Sequence, residues 1–161
     1  MIVLPTAIAD VRLQTLERAD APAYFRLIDR NRAHLSQYGD TASKYPTLES
    51  VLLSLSNAHG EKIRFGIWNR HALVGVANLT PVPAAAEIGF LLGAEFQGKG
   101  YACAAVRSLT VYALNAGFHE VYGLVHPHNA RSMNVLLRAG YADQGLHEEH
   151  SRIWRKFSKF S

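Results

Sequence analysis

The apolar positions change period several times along this chain. VRLQTLE at residues 11–17 alternates apolar and polar, the pattern of a half-buried strand. APAYFRLIDRNRAHL then places Ala23, Phe25, Leu27, Ile28 and Leu35 on an imperfect helical stripe, with Asp20 where a cap is expected. YGDTASKYP (38–46) has loop composition. Thr47, with Ser50 and Val51 behind it, opens a second helix in TLESVLLSLSNAHG, which Gly60 stops. The period then shortens. KIRFGIW and HALVGVANLT read as two strands joined at Asn69-Arg70, and AEIGFLL (86–92) follows the PVPAA break as a third.

The second half is more regular. YACAAVRSLTVYALNAG is a helix with Ala102, Ala105, Val106, Leu109, Tyr112, Ala113 and Ala116 near one face, ended by Gly117. HEVYGLVH (119–126) is a buried-strand run. Asn129 opens NARSMNVLLRAG, with Gly140 as its stop, and YADQGLH and SRIWRKFSKF finish the chain as strands. The order β-α-α-β-β-β-α-β-α-β-β predicts an α/β (α+β) fold with one mixed sheet of seven strands and helices on its faces. The strand–helix–strand unit from Glu87 to His126 predicts a parallel pair.

Composition narrows the class. The 161 residues are 48% hydrophobic and 19% charged, which suits one globular domain over 1–161. No apolar run is long enough for a bilayer, no leader stands at the start, and Cys103 is a lone thiol; together these predict a cytoplasmic protein without a membrane partner. The net charge of +4 is dispersed except at Arg152, Arg155, Lys156 and Lys159. With no nucleic-acid motif beside them, these four read as the solvent side of a terminal strand, guarding an edge, and no direct nucleic-acid partner is expected.

The chemistry starts at GAEFQGKGYACAAV (93–106). A strand runs into a glycine-rich turn and then a helix, so free N–H groups and the positive end of the helix dipole favour an anion there. Gly93, Gly98 and Lys99 have Walker A spacing, but Gly100 stands where the magnesium-binding hydroxyl is needed, and Glu95 and Phe96 put a charge and a ring in the loop. A nucleoside-triphosphatase reading therefore fails on details. A purely structural turn stays open on this stretch alone.

VHPHNARSMNVLLRAGYADQG (125–145) adds the second motif. Gln97, Gly100 and Ala102 match Q/R-x-x-G-x-G/A, and Asn129, Ser132 and Gly140-Tyr141 match N-x-x-S…G-[FY]. In this order the two resemble the GNAT superfamily of acetyl-CoA-dependent N-acetyltransferases, in its RimJ/RimL-like branch, over nearly the whole chain. The resemblance implies a mostly antiparallel sheet opened at its centre into a V that takes the pantetheine arm. It implies that Gln97, Gly98, Lys99, Gly100, Tyr101 and Ala102 hold the pyrophosphate of acetyl-CoA. It also implies that amides near Leu91 and Leu92 polarise the thioester carbonyl, that Asn129 contacts the coenzyme, and that Ser132 protonates the departing thiolate. Asn129 is also a good helix cap and Ser132 an ordinary first-turn serine.

The reaction so implied needs a neutral amine. An α-amine, with pKa about 7.7–8.0, needs only a weak base, acting directly or through water. Glu87 is the first candidate, set against a plain water-facing carboxylate; His126 and His128 are rivals. The branch often carries Y-A-T-E-A after the turn. This chain has Tyr101-Ala102-Cys103-Ala104-Ala105, so any role of that acid is missing or relocated, and Cys103 reads as packing. No metal is expected: His126-Pro127-His128 and His147-Glu148-Glu149-His150, the latter read as a turn, lack a convincing third ligand. Trp68 and Trp154 read as packing, and Phe25, Tyr38 and Tyr45 as core or as acceptor-side contacts. The acceptor implied is a protein N-terminal α-amine, as on ribosomal proteins. A small-molecule amine (antibiotic, polyamine or amino-acid derivative) is the alternative, mildly favoured by the positive charge, and a non-catalytic coenzyme-A-binding module is the second. Homodimers are common in the branch, but no residue locates an interface.

Overall fold

The computed structural model describes residues 1–56 and 62–161. The stop predicted at Gly60 lies outside the described residues. The strands are β1 (Val3–Pro5), β2 (Val11–Thr15), β3 (Ile63–Asn69), β4 (Ala72–Val82), β5 (Ala85–Leu92), β6 (Glu120–Val125), β7 (Ala142–Glu149) and β8 (Arg152–Phe160). The helices are α1 (Ala21–Arg30), α2 (Arg32–Ser36), α3 (Thr41–Lys44), α4 (Leu48–Ser56), α5 (Tyr101–Asn115) and α6 (Ala130–Arg138). Among the described residues one sheet in the order β1-β2-β3-β4-β5-β6-β8-β7 carries every strand, and only β5–β6 is parallel. The mixed, mostly antiparallel sheet is as predicted; its eight strands replace the seven read from sequence because β1, only three residues long, shows no period.

Strand alternation sorts side chains onto two faces. On one face Leu13, Phe65, Ile67, Val74, Ala77 and Ile88 pack with Ala105, Leu109 and Leu136 of α5 and α6. On the other, Trp68, Leu73 and Val76 pack with Tyr24, Leu27, Ile28 and Val51 of α1 and α4. Helices thus lie on both faces.

Several local expectations change. The helix read through residues 21–35 breaks at Asn31 (φ −125°, ψ 22°) into α1 and α2. Asp20 makes no side-chain cap to α1; its Oδ2 accepts the Glu17 N–H at 2.8 Å, closing the short 3-10 turn before the helix. The loop read at 38–46 contains α3. The cap at Thr47 holds: its Oγ1 accepts the Ser50 N–H at 3.1 Å. His147, Glu148 and Glu149 lie on β7, and only His150 is in the turn. The basic terminal strand guards no edge, since β8 lies between β6 and β7. Two of its charges are paired, Arg155 with Asp143 at 2.7 Å and Lys156 with Glu120 at 3.4 Å. Among the described residues no helix is long and apolar enough to cross a membrane.

The sheet parts at its centre. β5 and β6 pair only at Ala85–Glu120, Ala86–Val121 and Glu87–Tyr122. Beyond this, β5 stays on β4 as far as Leu92, and β6 stays on β8 as far as Val125. Ile88–Leu92 and Gly123–Val125 therefore face each other as unpaired edges of a V. Leu136 of α6 packs where they separate: a Cβ on Gly123 would stand 3.0 Å from its Cδ1, so the glycine lets the leucine seat closely there.

Candidate active site

The turn between β5 and α5 stands at the mouth of this V. Gly93 leads into a 3-10 turn, Ala94–Phe96, and Gln97–Gly100 then swing into the helix. Gly98 (φ 80°) and Gly100 (φ 81°) are left-handed, a conformation costing other L-residues about 1–2 kcal/mol. Gly100 occupies the cap position of a 15-residue helix and offers no side-chain acceptor. The first helical bond is Ala104 N–H to Gly100 C=O at 3.0 Å, so the N–H groups of Tyr101, Ala102 and Cys103 have no helical partner. Uncapped donors at the positive end of a long helix suit a diphosphate.

The six turn residues singled out from sequence do not stand alike. Gly98, Lys99 and Gly100 are exposed, while Tyr101 is half-buried and accepts Asn69 Nδ2–H at 3.1 Å through its hydroxyl. Gln97 is turned inward. Its N–H donates to Ala94 C=O at 3.4 Å, and its Nε2 lies 2.9 Å from His34 Nε2. Leu91 and Leu92 end β5 directly below, at the open side of the V. Cys103 is half-buried against the core, as expected.

The second motif brings α6 to the same mouth. Asn129 caps α6, its Oδ1 accepting the Ser132 N–H at 3.3 Å. Ser132 is half-buried in the first turn. The Gly140-Tyr141 end of the motif is structural. Tyr141 is buried, its hydroxyl meets Thr110 of α5, and burial pushes its pKa up to about 12. Gly140 is left-handed (φ 92°), and a Cβ there would meet Lys159 Nζ at 2.8 Å.

Glu87 sits at the closed end of the V, at the last paired position and opposite Tyr122. Alternation puts it on the α1–α4 face, since Ala86 and Ile88 belong to the α5 core. It is half-buried, and its pKa is raised, first by burial and then by Glu149, against the opposing pull of Lys62 and His150. The β7–β8 hairpin tip is thus within electrostatic reach of Glu87. Tyr122 beside it is pushed up to about 12, by burial and then by Glu87, Glu149 and Glu120. Along a strand rising ~3.3 Å per residue, Glu87 lies roughly 13 Å from Leu91. The two cannot touch the same carbonyl carbon, so a basic role for Glu87 requires water between.

The rival histidines are placed elsewhere. His126 lies four residues beyond Tyr122, stacks on Tyr38 at 5.1 Å, and accepts the His128 N–H on Nδ1 at 3.1 Å. Tyr38, His126, Arg152, Ile153 and Trp154 line a cleft of about 280 Å³. Trp154, read as packing, is therefore a cleft wall, whereas Trp68 is core. Tyr45 packs on Tyr24 at 5.9 Å, also in the core. Among the described residues no three His, Cys, Asp or Glu side chains form a group that could hold a metal. Sequence reasoning missed Asn31, His34, Tyr122 and Glu149. For Asn31 a signal existed: a polar residue on the buried stripe that runs through Tyr24, Leu27 and Ile28.

Comparison with known proteins agrees with this geometry. The family model described as the acetyltransferase (GNAT) domain matches residues 10–142. The chain is 28% identical over 156 residues to the probable N-acetyltransferase YjcK of Bacillus subtilis (strain 168), covering 89% of this chain and 86% of the relative. It is 27% identical over 129 residues to the ribosomal protein uS5-alanine N-acetyltransferase of Escherichia coli (strain K12), covering 72% of this chain and 66% of that enzyme. The solved structure of a ribosomal L7/L12 α-N-protein acetyltransferase in complex with coenzyme A has the same fold, with a TM-score of 0.88 at 18% identity over 99% of this chain and 98% of that one. With the V-shaped sheet and the uncapped glycine turn in place, the chain belongs to the GNAT family of acetyltransferases and is an acetyl-CoA-dependent N-acetyltransferase.

Proposed function

We propose that the protein acetylates the N-terminal α-amine of a protein, of the kind ribosomal proteins present. The observation that carries the coenzyme half of this reading is the parted sheet: two unpaired strand edges lead from an uncapped helix start down to a carboxylate with a raised pKa. The uS5-alanine enzyme among the relatives carries the acceptor half.

The residues present fit acetyl-CoA. Amides of the Gly98–Ala102 turn receive the pyrophosphate, and the edges Ile88–Leu92 and Gly123–Val125 bond the pantetheine arm as an inserted strand would. Bound there, acetyl-CoA supplies an activated acyl group with a thiolate as leaving group. The amides near Leu91 and Leu92 stabilise negative charge growing on the carbonyl oxygen. Glu87 takes the amine's proton through water, and its raised pKa makes it a better base near neutrality. As the C–N bond formed and the C–S bond broke, the Ser132 hydroxyl would give its proton to the sulfur and regain one from solvent, to which Glu87 would release the proton taken from the amine. Asn129 orients Ser132 through the cap bond. Tyr38, His126 and Trp154 flank the acceptor's approach.

The test is an acceptor panel with acetyl-CoA, read by mass spectrometry. N-terminal peptides beginning with small residues are compared with α-blocked lysine peptides, polyamines and aminoglycosides. Acetylation confined to α-amines supports the proposal. Preferential modification of the small amines would transfer the assignment to that class, and coenzyme binding without transfer to any amine would leave a binding module.

A further inference from the structure

We propose that Asn31 and His34 are positioning residues that hold the coenzyme turn in its binding shape from the acceptor side of the molecule. This rests on the reading that the Gly98–Ala102 turn holds acetyl-CoA. Neither residue reaches the reacting atoms.

Four separate contacts join the α1–α2 junction to residues 93–97. Asn31 is buried, with 4% of its surface exposed. Its Oδ1 accepts the Ala94 N–H at 2.9 Å, and its Nδ2 donates to Leu27 C=O at 2.8 Å. The carboxamide thus satisfies one amide at the start of the 3-10 turn and one carbonyl at the end of α1, where helical bonding has run out. Three residues on, His34 Nε2 meets Gln97 Nε2 at 2.9 Å, one residue before the left-handed Gly98. Arg30 reaches Glu95 at 3.5 Å, an exposed pair that adds little. Gly93 makes the fourth contact through its missing side chain. A Cβ there would stand 3.1 Å from Leu27 Cδ1 and 3.3 Å from Asn31 Nδ2, so α1 seats directly on the backbone.

The break of the helix at Asn31 has a purpose on this view. A continuous helix would commit the backbone to itself. The break aims one side chain at the turn and redirects α2 so that His34 reaches Gln97 and Tyr38 reaches His126. The segment that walls the acceptor cleft is thereby fixed to the segment that would hold the coenzyme. Without these contacts, Ala94 and Gln97 are free to wander, and the turn must be ordered at the moment of binding.

Calorimetric titration with coenzyme A, which needs no turnover, tests this on wild type, Gly100→Val, Asn31→Ala, His34→Leu and Thr110→Ala. Thr110 meets Tyr141 on the far side of α5 and serves as a destabilised control. Each deleted contact is worth about one hydrogen bond, so Asn31→Ala and His34→Leu should each weaken binding roughly five- to tenfold, with Thr110→Ala within twofold of wild type. In steady state the positioning variants should raise the acetyl-CoA KM and keep kcat at saturation. Coenzyme affinity within twofold of wild type in folded His34→Leu overturns the proposal, even if Asn31→Ala fails to fold. So does a loss in Thr110→Ala as large as theirs. Either result leaves the site reading intact if Gly100→Val has lost binding. No binding by wild type would instead overturn the site reading itself.

Discussion

Replacing Gly100 by alanine asks whether the turn must be left-handed to bind. The change is sterically empty: a Cβ at Gly100 would meet only Ile8 Cδ1, at 3.8 Å, and one at Gly98 would meet nothing within 4 Å. What remains is the backbone. At φ 81° an L-residue costs about 1–2 kcal/mol, and that strain must appear somewhere. If the exposed turn relaxes when empty, the cost is met on binding, and coenzyme affinity falls about five- to thirtyfold. If the turn stays left-handed, the cost falls on the fold, and a chain of this size loses about 2–4 °C in Tm per kcal/mol. Exposure of Gly98, Lys99 and Gly100 favours relaxation, so the loss is expected in Kd. Gly100→Val should lose more, because a β-branched residue is an outlier at positive φ. The assay is calorimetric titration with coenzyme A beside thermal melts, for Gly98→Ala, Gly100→Ala and Gly100→Val. An unchanged Kd in folded Gly100→Val refutes the reasoning, since no diphosphate could then depend on that backbone.

Three further changes probe the chemistry. Ser132→Ala should lower kcat by about 10²-fold or more and leave coenzyme Kd within twofold, because the Asn129 cap bond uses the Ser132 N–H that alanine keeps; equal turnover ends its role as acid. Glu87→Gln should flatten the alkaline-rising limb of the pH–rate profile, and an unaltered profile sends the search to the histidines or to bulk water. The same variant carries a stability prediction with a definite sign. The folded pKa of Glu87 is raised above its ordinary 4.5, so the folded state holds this proton more tightly than the unfolded chain. Its stabilising contribution is present below that value and is lost as pH rises through the folded pKa. Glu87→Gln should therefore melt above wild type at neutral pH, with the gap closing as pH falls towards 4.5, and a variant that melts lower at pH 7 contradicts the cause given for the shift. Cys103→Ser should keep kcat within twofold, and a large loss would bring back the thiol as a nucleophile.

The sheet was legible wherever burial imposed a period. Phe65 and Ile67, or Ala77 and Leu79, reveal their face because it packs on helices. β1 was not legible, because three residues with Leu4 as their only inward apolar group carry no period. The break at Asn31 was hidden for a different reason. Local helical propensity runs on through Arg32–Ser36, and the interaction that ends α1 comes from Ala94, 63 residues away. The guard role assigned to β8 failed because strand order is a tertiary property. The same basic residues read identically on an edge strand and on one lying inside β7.

The site divides along the same line. Its anion-binding half is local: glycines, turn and helix start are contiguous, so the sequence contains both the left-handed positions and the uncapped helix. Its catalytic half is assembled across the chain. Glu87 as a bare residue is an ordinary carboxylate. What distinguishes it is that β5 and β6 stop pairing at Glu87–Tyr122, and that a hairpin tip some sixty residues further on brings Glu149 near enough to resist its ionisation. Neither fact has a local signature. Both follow from register and from Leu136 seating on Gly123 where the strands part. An unpaired strand edge inside a sheet is expensive unless something bonds it, since each buried N–H or C=O left alone costs ~1–3 kcal/mol. The parted sheet is thus itself a reason to expect an extended ligand. The same cost predicts that coenzyme A will protect amides on the open edges, Ile88–Leu92 and Gly123–Val125, from hydrogen exchange more than those on β2 or β3. Equal protection across the sheet would mean that the V closes on itself in solution and that the coenzyme binds elsewhere.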